Sequence, residues 1–151
     1  MKVFIPSLFI VILDQLTKIW IKNNYNLFES RNIIGDFLRF TYVENPGIAF
    51  GIRLGNLKVM VTVISILIVF YLATLLYNSK EFAYLEKLSL SFILGGAIGN
   101  LIDRILMYIP GTAYGGVIDF IDLGINAHRW YIFNIADSAV TVGIIFYFIY
   151  S

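Results

Sequence analysis

Four predominantly apolar runs limit this chain more than any motif it carries. They fall near residues 3–22, 59–77, 88–108 and 133–151, each within the roughly 17–25 residues that a transmembrane helix needs. The first follows Lys2 and has the look of a signal peptide. No small-residue cleavage site follows it, however, and its apolar character continues through Trp20 and Ile21, so it reads as a span. Composition agrees: 59% of residues are hydrophobic and 14% charged, beyond the apolar share of soluble domains. The expected fold class is an all-α polytopic membrane protein with four transmembrane helices, residues 1–151 forming a single membrane domain.

The remaining bulk properties remove function classes. A net charge of +1 gives no reason to propose nucleic acid as a partner. The absence of cysteine leaves no disulfide framework, thiol nucleophile or Cys-based metal site. His128 is the single histidine, so no H-E-x-x-H metal site can be built. Beside Arg129 and Trp130, it reads as an interfacial residue. No G-x-S-x-G supports a serine nucleophile. No metal or organic cofactor is expected.

The connections are unequal. Residues 23–58 carry "FLRFTYVEN", then "PG", then "IAFGI", a pattern that suits two short strands around an Asn45-Pro46-Gly47 turn. Residues 109–132 hold Pro110, Gly111, Gly115 and Gly116 before "VIDFIDLGI" and read as a loop. In the third run, Ser91, Gly95 and Gly99 recur every four residues, a small-residue stripe that permits close helix packing.

Spans alternate in direction, so the end of the first, the end of the third and the start of the fourth share one membrane face. Asp14 and Lys18, then Asn100, Asp103 and Arg104, then Asn134 and Asp137 all fall there. Both long connections, with Asn45 and Asp119, emerge on the same face. Asp14 and Lys18 are four apart, acid first, which suits a structural ion pair. Gly96, Asn100 and Asp103 share one helix face; Asn100 either bridges helices or lines a groove. Arg104 either snorkels to headgroups or organises a carboxylate or peptide carbonyl. Asp122 reads as a solvated loop carboxylate.

Asp119 and Asp137 have no local cationic partner, and an unpaired intramembrane carboxylate is a functional candidate by default. Two carboxylates brought together cannot both ionise easily and share a proton. Such a pair supplies a base for water and an acid for a leaving group, the requirement of aspartic peptide hydrolysis. The alternative class is a small ion-coupled transporter using Asp14, Asp103, Asp119 and Asp137 as a relay. Such a transporter commonly carries an internal repeat, and none is present.

Five stretches, "DQLTK" (14–18), "NPGIAFG" (45–51), "GGAIGNLIDR" (95–104), "GGVIDFID" (115–122) and "FNIADSAV" (133–140), resemble in order the motif blocks of lipoprotein signal peptidase, or signal peptidase II. The resemblance implies an intramembrane aspartic endopeptidase of the bacterial cytoplasmic (inner) membrane. It would remove the signal peptide from diacylglyceryl-modified prolipoproteins by cleaving before the lipidated cysteine, with membrane lipid and globomycin-type inhibitors as further partners. It implies Asp119 and Asp137 as the catalytic pair. Asp14, Lys18, Asn45, Gly96, Asn100, Asp103, Arg104 and Asn134 match positions that bind substrate or support the site. It also implies four helices, a small β-rich extracytoplasmic cradle in the first connection, and an extracytoplasmic loop near 109–132. Positive-inside counting points the other way, because Lys22, Arg31, Arg39, Arg53, Lys58 and Arg129 then lie outside; several of these would belong to the folded cradle.

Overall fold

The structure is a computed structural model, described here for residues 2–46 and 57–150. After a short 3₁₀ turn (Lys2–Phe4), the chain forms α1 (Ile5–Asn24), β1 (Ser30–Ile34), β2 (Leu38–Asn45), α2 (Leu57–Tyr77), α3 (Tyr84–Leu106), β3 (Val117–Ile125), β4 (His128–Arg129) and α4 (Ile135–Tyr150). Three of these helices are long and apolar enough to cross a membrane, and α4 is a shorter apolar helix of 16 residues. Each helix overlaps one of the four apolar runs, α3 beginning at Tyr84 where the run was placed from 88. Phe9 on α1, Leu67 and Phe70 on α2 and Phe148 on α4 are 61–82% exposed. An apolar outer surface of that kind is suited to lipid, where every backbone polar group must be satisfied within the helix.

Helix α3 is central and packs on α1, α2 and α4. The small-residue stripe does what its spacing predicts. A Cβ at Gly95 would lie 2.9 Å from Ile10 Cβ, and one at Gly99 would lie 2.6 Å from Asp14 Oδ2. One at Gly96 would run into the Ala136 carbonyl of α4. Glycine at these three positions lets two helices approach α3 closely.

The β-structure is larger than the cradle expected in the first connection. Residues 109–132, read from sequence as a loop, contribute β3 and β4 to a four-stranded antiparallel sheet in the order β1-β2-β3-β4. The first hairpin turns at Gly35, in the left-handed region at φ 51°. The strand expected from "IAFGI" lies outside the described residues. Ile118 and Phe120 project from one face of β3 into a core with Ile21, Tyr25 and Tyr42. Their alternation sends Asp119 to the opposite face.

Four of the six cations that would lie outside take part in ion pairs of the sheet region. Lys22 pairs with Glu44, Arg31 with Glu29, Arg39 with Asp36, and Arg129 with Asp122. These four cations are held within or beside the folded sheet, as several of them were expected to be.

Candidate active site

Backbone bonds tie β3 to the residue that leads into α4, and a capping box then starts the helix. The Phe133 carbonyl accepts from the N–H groups of Phe120 and Ile121 at 3.0 and 2.7 Å, and Phe133 N returns a bond to the Ile121 carbonyl at 3.1 Å. Asn134 then stands directly before α4. Its Oδ1 accepts from Asp137 N at 2.9 Å, while Asp137 Oδ2 accepts from Asn134 N at 3.2 Å. This is a reciprocal capping box, with aspartate in the place usually held by glutamate or glutamine. It satisfies two orphan N–H groups and also fixes one face of the Asp137 carboxylate.

The asparagines link the two candidate carboxylates. Asn134 Nδ2 donates to Asp119 Oδ1 at 2.6 Å and to Asn100 Oδ1 at 3.0 Å. Asn100 Nδ2 donates to Asp137 Oδ1 at 2.8 Å, and Asn45 Nδ2 reaches Asp119 Oδ2 at 3.3 Å. Asp119 is only 4% exposed. Burial, and then the nearby Asp137 charge, push its carboxyl from the ordinary 3.8 up to about 7, against the opposing effects of Asn45, Lys18 and Asn134.

Asp14 and Lys18 form the predicted ion pair at 2.8 Å, but the pair is really a triad. Lys18 Nζ lies equally close, at 2.8 Å, to Asp103 Oδ2, and all three side chains are fully buried. The third ammonium bond goes to Asn100 Oδ1 at 2.9 Å. Each carboxylate of the triad also holds a backbone amide: Asp103 accepts from Ile118 N at 3.1 Å, and Asp14 from Ala136 N at 3.0 Å. Those residues immediately precede Asp119 and Asp137. Gln15 spans the two carboxylates at 3.2 and 3.1 Å.

A cavity of about 330 Å³ between α2, α3 and α4 is lined by Gly96, Asn100, Arg104 and Asp137, with Ser65 and Ile68 on the α2 wall. Arg104 Nε is buried and has no hydrogen-bond partner among the described residues. The side chain as a whole is half-buried in the wall of that cavity. Asp14, Lys18, Asn45, Asn100, Asp103, Asp119, Asn134 and Asp137 are joined in one hydrogen-bonded network, and Gly96 and Arg104 lie in the adjoining cavity wall.

Asp122 departs from its expected role. It is buried, with Arg129 Nε at 2.6 Å and the Thr41 hydroxyl donating at 2.8 Å. Three residues after Asp119 on a strand, it points to the other face and anchors the sheet. Sequence reasoning also missed Glu44, which gathers Lys22 at 2.9 Å, the Tyr42 hydroxyl at 2.5 Å and Gly115 N at 2.6 Å. Burial works against its ionisation, but these donors outweigh it and hold the carboxyl below its ordinary value. The cluster fastens the glycine-rich approach to β3 onto β2.

Comparison with known proteins gives one consistent result. A family model described as "Signal peptidase (SPase) II" matches residues 7–151. A lipoprotein signal peptidase of Syntrophomonas wolfei is 45% identical over 137 residues, covering 90% of this chain and 83% of that protein. One of Moorella thermoacetica is 40% identical over 139 residues, covering 92% and 85%. A bacterial membrane enzyme solved by the in meso method at 2.3 Å resolution superposes with a TM-score of 0.83 at 33% identity, covering 98% of this chain and 85% of that one.

Proposed function

Because this chain belongs to the signal peptidase II family, a family of membrane proteases, we propose that it is an aspartic endopeptidase acting within the membrane. It removes the signal peptide from diacylglyceryl-modified prolipoproteins by cutting before the lipidated cysteine. The observation that carries the aspartic assignment is the pair Asp119 and Asp137, held by one asparagine relay, with Asp119 pushed up to about 7.

In this mechanism Asp119 carries the shared proton and Asp137 takes a proton from water. The water attacks the carbonyl before the modified cysteine, Asp119 donates to the developing oxyanion, and a proton then passes to the leaving amine. Arg104, whose Nε donor has no partner among the described residues and which lines the cavity with Asp137, is suited to a substrate carbonyl that lipid cannot hydrogen-bond. Asn45, Asn100 and Asn134 each bond to a dyad residue, and Asn134 also bonds to Asn100, so their first task is to hold the two carboxylates. The acyl chains would lie against the apolar outer face between helices. With α4 as a fourth span, the dyad faces the extracytoplasmic side of the bacterial cytoplasmic membrane.

The test uses purified protein in detergent with a diacylglyceryl-modified prolipoprotein and its unmodified precursor. Cleavage of the first alone supports the reading. Equal cleavage of both, or of neither, contradicts it.

A further inference from the structure

We propose that Lys18 is a positioning residue that holds the asparagine relay in one hydrogen-bond polarity throughout turnover. This role presupposes Asp119 and Asp137 as the dyad and follows from the donors that Lys18 can offer. A lysine ammonium can only donate, and it has three protons. All three are committed: to Asp14 Oδ2 and Asp103 Oδ2 at 2.8 Å, and to Asn100 Oδ1 at 2.9 Å. Asn100 must therefore present its oxygen to Lys18, which leaves its amide nitrogen facing Asp137 Oδ1 at 2.8 Å. At the other end of the relay, Asp137 N holds Asn134 Oδ1, which turns that amide nitrogen toward Asp119 and Asn100.

The consequence appears when protons move. While Asp137 is an anion, either neighbour alone would keep Asn100 correctly turned. Once Asp137 has taken the proton of water, its new O–H would welcome an amide oxygen. Without Lys18, Asn100 could then reverse, accept that proton and hold it away from the leaving amine. The remaining donor, Asn134 Nδ2, has Asp119 Oδ1 and the Ile118 carbonyl as acceptors for its two protons and can give up Asn100 Oδ1. Reversal against Lys18 would set donor against donor at a fully buried position, where unsatisfied groups are costly. Lys18 thus keeps the dyad able to release its proton. Asp14 and Asp103 complete the device, because each also grips the backbone N–H just before one dyad residue.

The test separates the cation from the tethers. Lys18→Met combined with Asp14→Asn and Asp103→Asn removes the charge set while leaving amide oxygens to accept from Ala136 N and Ile118 N. Gln15 can turn its carbonyl to the two new amides. The expected result is a folded protein whose kcat falls by about tenfold or more, the scale of one hydrogen bond, with KM little changed. Asn100→Leu, in which Lys18 keeps both carboxylates, should lose kcat similarly, and adding the triple change to it should cause no further loss. A triple variant that turns over like wild type overturns the proposal, as does one that fails to fold, because the cation would then hold the bundle and not the relay. So does an additional loss of kcat in the combined variant. Asp119→Asn and Asp137→Asn run in parallel distinguish the two levels. If they stay active, the dyad reading fails; if they are inactive while the triple variant is normal, the positioning role alone fails.

Discussion

Replacing Asp119 with asparagine should abolish cleavage and yet stabilise the protein above neutral pH. Asp119 is 4% exposed, and burial followed by the Asp137 charge raises its carboxyl from 3.8 to about 7. At about 1.4 kcal/mol per pKa unit, that displacement corresponds to roughly 4 kcal/mol. The sign follows from proton binding. Between about pH 4 and 7 the folded state holds a proton that the unfolded state has released, so wild-type stability falls as pH rises through this window. Below pH 4 both states are protonated and no penalty remains. Asparagine does not titrate, but its NH₂ must face one of the two amides that now donate to Asp119, losing about 1 kcal/mol. The net gain at pH 8 is therefore about 3 kcal/mol, on the order of 5–10 °C in apparent Tm for a chain this size. Fluorescence of Trp20 and Trp130 during heating, in one detergent from about pH 5 to 9, reads it directly. The wild-type Tm should fall with pH relative to the variant, and the gap should close near pH 5. Parallel curves, or a variant less stable at every pH, would refute the reasoning.

Other consequences are simpler to check. Gly99→Ala places a methyl group 2.6 Å from Asp14 Oδ2, an overpacking that should lower stability by about 1–3 kcal/mol and reduce cleavage; thermal unfolding and turnover measure the two. Asp122→Asn loses the buried pair with Arg129 and should lower apparent Tm, by about 1–3 kcal/mol in stability, while remaining able to cleave. With one histidine and no cysteine in the chain, EDTA should leave the cleavage rate unchanged; loss of activity restored by zinc would show that the chemistry is misassigned. Globomycin, a type of inhibitor implied by the family resemblance, should block cleavage; unchanged turnover in its presence would contradict that expectation.

The helices and much of the site were legible because their signals are local or follow from chain direction. Apolar runs of span length mark the helices, and alternation of spans puts Asp14, Asn100 and Asp137 on one face. Long-range pairing was not legible. Nothing near Lys18 announces Asp103, which lies on α3 and turns an i,i+4 pair into a triad. Asp122 looks solvated because its partner, Arg129, is reached only across the β3–β4 hairpin, and β3 itself is buried on both faces and shows no clean alternation. One local signal was available and unread: Asn134 and Asp137, three apart at a helix start, spell a capping box.

The proposed mechanism has Asp119 and Asp137 together perform the hydrolysis. Its most direct measurement is turnover of a diacylglyceryl-modified prolipoprotein by Asp119→Asn and Asp137→Asn, each first shown by thermal unfolding to be folded. An amide can neither take the proton of water nor return one to the leaving amine, so both variants should be inactive. Turnover near the wild-type rate by either folded variant would contradict the account.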